Sequence, residues 1–206
     1  MPRSPALLAA TAAVPAALIA ACGREEPPAE PQIFLREGPD RWEPPSAIAR
    51  TLRPRINRAG LDIIEESEGL RLEAYYLAGQ WLIGYGHAGT AAEGMRITAA
   101  EAEALLLEDL LRTEKELRAL LEVELNDNEW AAVVSLAYNM GVGGFSRTLA
   151  YERLAAGDKA GAADAFLYLD SAMIDGERRS LPALAERRRR ERALFLTPPA
   201  AAETAP

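Results

Sequence analysis

The chain is poor in the two residues on which many cross-links and metal sites depend. Its 206 residues include one cysteine and one histidine. A single cysteine cannot form an intramolecular disulfide, and it excludes a metal cluster built on cysteines. A single histidine excludes any site that needs two imidazoles, which rules out the common kinds of zinc enzyme. We therefore expect neither a metal nor another cofactor.

Positive charge is also scarce. Lys and Arg number 23 against 31 Asp and Glu, which gives a net charge of −8. Because phosphate groups are bound by a cationic surface, we expect no nucleic-acid partner. Apolar residues make up 49% and charged residues 26%, which is typical of a globular protein.

The first 22 residues have the composition of an export signal. Arg3 supplies a positive charge, and the uncharged stretch from Ala6 to Ala21 is short for a membrane span, which needs about 20 apolar residues. The segment Leu18–Cys22 (LIAAC) resembles the lipobox of bacterial lipoproteins. That resemblance implies cleavage before Cys22 and acylation of its sulfur and new amino group. The alternative is an ordinary secretory signal that contains a cysteine.

The composition changes abruptly after the signal. Residues 22–55 are rich in Pro and Glu, show no sustained apolar period, and are predicted to form a tether. Residues 198–206 are predicted to be a disordered tail. With a signal peptide over 1–21, these segments leave 56–197 as one domain. The prolines between Gly23 and Arg50 are Pro27, Pro28, Pro31, Pro39, Pro44 and Pro45.

Helical patterns dominate residues 56–197. Thr98 to Glu101 matches a capping box, and one strand-like stretch, Glu73–Leu77 and Trp81–Tyr85 around Gly79, matches a hairpin. We expect an α+β fold that is mainly α. The predicted helices are Ile56 to Glu68, those that follow Thr98 and Asn126, Arg147 to Ala156, Asp158 to about Leu169, and Ser180 to about Leu196.

Four motifs occur in an order that resembles the phage-type lysozymes of glycoside hydrolase family 24. They are Glu68–Tyr75 (EGLRLEAY), Ile83–His87 (IGYGH), Leu125–Gly144 and Leu184–Glu191. The resemblance implies a two-lobed lysozyme-like fold, with a small β-hairpin lobe and a helical lobe on either side of a glycan cleft. It also implies cleavage of the muramic acid–glucosamine bond, so that the partners are peptidoglycan glycan strands. We expect a monomer.

Glu68 is the candidate catalytic acid. Glycosidic cleavage needs a protonated carboxyl beside the leaving oxygen. Glu68 lies at the end of a predicted helix, whose negative pole raises the pKa of a carboxyl, and Leu70 and Leu72 are apolar neighbours in sequence. A Glu before a Gly is otherwise an exposed helix end, and the family resemblance favours the catalytic interpretation.

The sequence then departs from the family pattern. The family has an Asp nine residues after the Glu and a Thr before the Ile-Gly-x-Gly-His run, whereas this chain has Leu77 and Leu82. The spacing is also one residue shorter. Loss of a general base typically costs about 10²–10⁴ in rate. The candidates to replace the missing group are Glu73, Tyr75 and Tyr76. The remaining alternative is that Glu68 acts alone with a loosely held water molecule.

Three further features have two interpretations each. His87 is a hydrogen-bonded structural group or supports the acid. Asn139 hydrogen-bonds sugar or ends a helix. The run Arg187–Arg190 looks like a nucleic-acid patch, but on a helix it spreads around the axis between Glu186 and Glu191, which indicates structural ion pairs with a solvated remainder.

Two functions follow as hypotheses. The first is a muramidase that is exported and lipid-anchored at the periplasmic face of the bacterial cell envelope, with Glu68 as the acid and activity reduced by Leu77 and Leu82. The second is a catalytically inactive relative that binds peptidoglycan or serves as a scaffold. A host-lysis endolysin fits the fold but agrees poorly with a lipid tether.

Overall fold

The computed structural model describes residues 53–174 and 176–199. Cys22, the signal peptide and nearly all of the predicted tether lie outside these residues. Seven helices and four strands occupy the described ranges. In chain order they are α1 Arg58–Glu68, β1 Arg71–Leu77, β2 Gln80–Gly84, α2 Ala99–Leu120, α3 Asp127–Met140, α4 Val142–Phe145, α5 Leu149–Ala155, α6 Lys159–Phe166, β3 Ser171–Ile174, β4 Glu177–Ser180 and α7 Pro182–Leu196.

Side-chain caps fix the starts of the two central helices. The Thr98 hydroxyl accepts from the backbone N–H of Glu101, whose carboxylate accepts in return from the backbone N–H of Thr98. Asn126 and Glu129 form the same reciprocal pair at the start of α3. Each box satisfies donors that the first helical turn leaves unpaired. Both predicted helix starts are confirmed.

The helices and strands form two lobes with separate cores. In the helical lobe α1, α2 and α7 pack around α3, which is buried from Glu129 to Asn139. A smaller core joins the β1–β2 hairpin to the first turns of α2 through Ile83, Ile97 and Leu105. The 22-residue α2 contributes to both cores. The mainly helical, two-lobed prediction is confirmed.

A two-residue turn at Ala78 and Gly79 sets the register of the β1–β2 hairpin. Both residues have positive φ, 50° and 81°, which suits a tight hairpin turn. Tyr75 pairs with Leu82, Leu77 with Gln80, and Tyr76 with Trp81. Since strand side chains alternate, Tyr75, Leu77, Gln80 and Leu82 share one face, called here the Tyr75 face. Tyr76 and Trp81 are on the other face.

A second hairpin, β3–β4, corrects the prediction that the chain has one strand-like stretch. Its strands pair in register from Ser171 with Ser180 to Ile174 with Glu177. All four residues of β4 are exposed, so the hairpin lacks the apolar alternation by which a strand is recognised in sequence. Ser180 therefore ends a strand, and α7 begins at Pro182 without a side-chain cap.

The two ends of the described domain meet at Asn128. The Asn57 amide donates to Asn128 Oδ1 at 2.8 Å. Asn128 Nδ2 donates to the carbonyl oxygens of Thr197 and Pro198, both at 3.1 Å. The chain therefore enters and leaves the domain at the N-terminal end of α3.

A buried carboxylate on α2 holds the segment that enters the domain. Glu114 is fully buried and accepts hydrogen bonds from the backbone N–H groups of Arg55 at 2.9 Å and Ile56 at 2.7 Å. It also accepts from Trp130 Nε1 at 3.2 Å and Arg118 Nη2 at 2.7 Å. Four donors compensate for the desolvation of this charge.

In the described ranges, no helix has the length and apolar character to cross a membrane.

Candidate active site

Glu68 is a buried carboxylate held on one side only. It is the last residue of α1, and Gly69, with φ 70°, turns the chain into β1. Only 1% of the Glu68 side chain is exposed, and Oε1 accepts from Arg187 Nη1 at 2.6 Å. The other oxygen, Oε2, is buried and has no hydrogen-bond partner among the described residues. The carboxyl thus has one fixed oxygen and one unused oxygen.

The arginine that holds Glu68 belongs to a buried network on α7. Arg187 donates through Nε to Glu191 Oε1 at 3.0 Å and through Nη2 to the Ser135 carbonyl at 3.1 Å. The Ser135 hydroxyl donates to Glu191 Oε1 at 2.7 Å, and Arg188 Nη1 donates to Glu191 Oε2 at 2.5 Å. Spacings of three and four residues bring these side chains together on α7. The predicted structural ion pairs are confirmed for Arg187 and Arg188, and Arg189 and Arg190 pair at the surface.

Burial makes Glu68 a better acid-catalyst candidate than an exposed glutamate. Desolvation raises the pKa of Glu68 above its ordinary value, and the positive charge of Arg187 opposes this effect only in part. A raised pKa keeps the carboxyl protonated nearer to neutral pH, which is what a general acid needs. Leu70 and Leu72 do not supply the burial, because they are 43% and 41% exposed. The burial arises where α1 packs against α3 and α7.

The Tyr75 face carries both leucines that replace family residues. Leu77 and Leu82 are buried, at 4% and 0% exposure. Tyr75, opposite Leu82, is half-buried, and the Arg71 guanidinium lies 4.5 Å from its ring centroid. Burial, with a further contribution from the negative charge of Glu68 and partial opposition from Arg71, raises the pKa of Tyr75 to about 12. Tyr75 is therefore a neutral phenol at physiological pH.

The structure separates two of the sequence candidates from Glu68. Glu73 is largely exposed and pairs with Arg96. Tyr76 packs edge-on against Trp81, with ring centroids 5.4 Å apart, on the opposite side of the hairpin from Tyr75. Of the two tyrosines considered from the sequence, Tyr75 shares a face with Leu77 and Leu82, and Tyr76 does not.

His87 makes hydrogen bonds within the hairpin lobe and to α2. Its Nδ1 lies 2.9 Å from Asp109 Oδ2, and its Nε2 accepts from the Thr90 backbone N–H at 3.1 Å. Asp109 also pairs with Arg112. This cluster joins the hairpin lobe to α2, and its contacts are separate from those of Glu68. Asp109 was missed in the sequence, although its position four residues after Leu105 and three after Leu106 places an acid on the apolar face of the helix.

Asn139 is in the last turn of α3 and belongs to the network around α7. Its Oδ1 accepts from Arg188 Nη2. Its Nδ2 is buried and has no hydrogen-bond partner in the described ranges. Asn139 therefore retains two unused donors near the arginines, in addition to its role at the end of the helix.

A small cavity adjoins the network on the side of Arg187. It has a volume of about 220 Å³ and lies between the end of α1 and the start of α7. Glu68 does not line it. Its lining residues are Glu66, Ser67, Ala183, Leu184, Glu186, Arg187 and Arg190.

Known proteins share this fold and these motifs. The phage lysozyme family matches residues 65–191. An endolysin of Acyrthosiphon pisum secondary endosymbiont phage 1 is 39% identical over 141 residues, which cover 68% of this chain and 97% of that protein. An endolysin of Salmonella phage P22 is 38% identical over 148 residues, 69% of this chain and 98% of that protein. The muramidase domain of SpmX from Asticaccaulis excentricus has a TM-score of 0.66 at 40% identity, covering 69% of this chain and 98% of its own.

The fold and the family match define a lysozyme-type glycoside hydrolase domain. The chain belongs to the phage lysozyme family. The matched region spans nearly the whole of each relative but only 68–69% of this chain. About a third of this chain therefore lies outside the shared domain.

Proposed function

We propose that the domain is a muramidase that cleaves the muramic acid–glucosamine bond of peptidoglycan, with Glu68 as the general acid. One observation carries the proposal. Glu68 is a buried carboxyl of raised pKa, fixed through Oε1 by Arg187, with Oε2 unused. Because Arg187 occupies Oε1, the proton that is donated to a substrate is carried by Oε2. The names of the relatives, endolysin and muramidase domain, support the substrate class.

The reaction balances with one carboxyl and one water. The bond between the anomeric carbon and the leaving oxygen breaks as the proton of Glu68 passes to that oxygen. A water molecule attacks the anomeric carbon from the opposite face, loses a proton to solvent and gives the inverted product. Glu68 is then reprotonated from solvent. Glu191 does not act as the nucleophile, because it is fully buried and both of its oxygens accept hydrogen bonds.

Two structural features reduce the rate of this reaction. Leu77 and Leu82 provide no group that orients or deprotonates the attacking water, and general-base assistance is worth about 10²–10⁴ in rate. Glu68 is also closed to solvent. The glycan therefore reaches Oε2 only after the residues that cover it move aside. Turnover is expected to be slow.

The site of action proposed for the domain is the cell envelope. The lipobox-like segment that ends in Cys22 and the Pro- and Glu-rich stretch after it support export and a lipid anchor at the periplasmic face. Acyl chains on Cys22 would be detected by mass spectrometry of the membrane fraction. Full loss of membrane association in a Cys22→Ser variant is the expected result.

The function is tested by release of reducing ends from purified peptidoglycan. Glu68→Gln keeps the shape of the side chain and removes the transferable proton, so release should fall at least about 100-fold. Glu66→Gln is the matched control, because Glu66 is in the same helical turn but 63% exposed, and it should stay within twofold of the wild type. Equal activity of the two variants contradicts the proposal.

A catalytically inactive, peptidoglycan-binding or scaffold protein is the second candidate. The burial of Leu77 and Leu82 and the closed Glu68 favour it. It predicts that the wild-type protein releases no reducing ends but still sediments with peptidoglycan. It also predicts that Leu77→Asp combined with Leu82→Thr produces turnover, since that pair restores the family's residues.

A further inference from the structure

Glu191 is a buried carboxylate that is joined to the acid by one arginine. It lies on α7 and is fully buried. Its Oε1 accepts from Arg187 Nε at 3.0 Å and from the Ser135 hydroxyl at 2.7 Å. Its Oε2 accepts from Arg188 Nη1 at 2.5 Å. These donors compensate for the desolvation of its charge, and one of them belongs to the arginine that holds Glu68.

The contacts of Arg187 explain why one oxygen of Glu68 stays free. A guanidinium often pairs with a carboxylate through two parallel hydrogen bonds, which occupy both carboxylate oxygens. Arg187 instead directs Nε to Glu191 at 3.0 Å and Nη2 to the Ser135 carbonyl at 3.1 Å. Nη1 is the nitrogen that donates to Glu68, at 2.6 Å. Glu191 and Ser135 therefore fix Arg187 in an orientation that leaves Glu68 Oε2 unpartnered.

The charge of Glu191 matters most when Glu68 carries a proton. The charged members of the buried network are then two guanidinium groups, on Arg187 and Arg188, and the carboxylate of Glu191. Burial raises the pKa of Glu68, and the charges of the two arginines lower it. The charge of Glu191 opposes the arginines and raises the pKa of Glu68. Without that charge, both guanidinium groups would favour the ionised form of Glu68.

Two phenols on neighbouring elements also respond to the charge of Glu68. They are Tyr75 on β1 and Tyr138 on α3, and burial, with a further contribution from Glu68, raises the pKa of each. Both are neutral near physiological pH, so they add no charge beside the acid. The charges that act on Glu68 there are those of the three α7 residues named above.

We propose that Glu191 is a positioning residue of this site, which fixes Arg187 so that Glu68 Oε2 stays free and whose negative charge allows Glu68 to carry a proton beside two buried arginines. This inference rests on the proposed function, in which that proton is transferred to the leaving oxygen. Glu191 itself contacts no substrate and exchanges no proton in the reaction. It acts on the acid through Arg187.

The test compares Glu191→Gln with Glu114→Gln in the full-length chain. Each variant replaces a fully buried, arginine-paired glutamate by its uncharged isostere, and Glu114 is bonded to Arg118 on α2. The readout is the ¹³C titration of the Glu68 carboxyl, assigned by the signal that Glu68→Gln lacks. Glu191→Gln should lower the midpoint of this titration by about one pH unit, because a nearby buried negative charge is lost. Glu114→Gln should leave it within about 0.3 of a pH unit.

The pH profile of reducing-end release is the second readout. A general acid acts in its protonated form, so kcat falls as pH rises through the pKa of Glu68. In Glu191→Gln this fall should occur at a pH that is lower by the same amount, whereas Glu114→Gln should keep the wild-type profile. A loss of packing alone would lower the activity without moving the profile.

Each outcome decides the inference. A Glu68 midpoint that is unchanged or higher in Glu191→Gln overturns it, as do equal shifts in the two variants. If Glu191→Gln does not fold, the Nε–H signal of Arg187 in Glu68→Gln decides it. A downfield signal that persists without Glu68 supports fixation by Glu191, and a signal at the position of an exposed arginine overturns it. If the wild-type chain releases no reducing ends, the hydrolase proposal fails, while the Glu68 midpoints still test the role of Glu191.

Discussion

At the scale of single residues, Glu68 links stability to pH. Burial raises the pKa of Glu68 in the folded state above its unfolded value of about 4.3, in spite of Arg187. At pH values between the unfolded and the folded pKa, the folded state therefore binds more protons than the unfolded state. The contribution of protonated Glu68 to stability is present below about pH 4.3 and is lost as pH rises through the folded pKa.

The comparison of wild type with Glu68→Gln measures this linkage. The unfolding free energy of the wild type minus that of Glu68→Gln should decrease as pH rises above about 4.3. Urea unfolding at several pH values gives the difference directly. A difference that increases with pH would show that Arg187 outweighs burial and lowers the pKa of Glu68.

The residues of the site were predictable to different degrees. Glu68 follows from its place at a helix end and from the family motif. Tyr76 was the tyrosine named for support of the site, because it lies beside the gap in the family spacing, and it is on the opposite face of the hairpin from Leu77 and Leu82. The hairpin register resolves this, and register depends on a turn at positive φ that residue patterns specify weakly.

At the scale of elements, α2 fixes the segment that leads into α1. Glu114→Ala removes the acceptor of two backbone N–H groups and of Trp130 Nε1, so it should lower the unfolding free energy by about 3 kcal/mol. It should also speed proteolysis at Arg53 and Arg55. Glu116→Ala on the exposed side of the same helix is the control and should cost under about 0.5 kcal/mol.

The faster proteolysis at Arg53 and Arg55 is measured by trypsin cleavage followed by mass spectrometry. Faster cleavage at the entry segment in Glu114→Ala than in Glu116→Ala supports the assignment. Equal cleavage with equal stability would show that the helix packing alone holds the segment.

The elements themselves were predictable where local chemistry determines them. The capping boxes at Thr98 and Asn126 predicted two helix starts correctly. The β3–β4 hairpin was missed because its exposed strand, with the sequence ERRS, carries no apolar alternation. The hairpin is joined to α7 by Ala172 on β3, which packs against Leu181 and Leu184. Pattern analysis of a four-residue exposed strand does not detect such contacts.

At the scale of the whole molecule, the two cores differ in size. The core of the hairpin lobe has four buried residues, whereas that of the helical lobe contains most of α3. Local opening should therefore be easier in the hairpin lobe. Backbone amides of Ile83 and Ile97 should show at least about tenfold lower hydrogen-exchange protection than those of Val133 and Val134. Uniform protection across these four amides would show a single cooperative unit.

The meeting of the two ends of the described domain at Asn128 limits how far the domain reaches from its anchor. Asn128 lies in the first turn of α3 and Asn139 in its last turn, so the exit point and the opposite end of the helix are about 17 Å apart. Asn139 is linked to Glu68 by hydrogen bonds through Arg188, Glu191 and Arg187. If Cys22 is acylated as proposed, 31 residues separate the lipid from Arg53, a contour of at most about 110 Å. Glycan layers beyond the sum of these lengths are out of range. The spacing between membrane and wall would then decide which strands are trimmed.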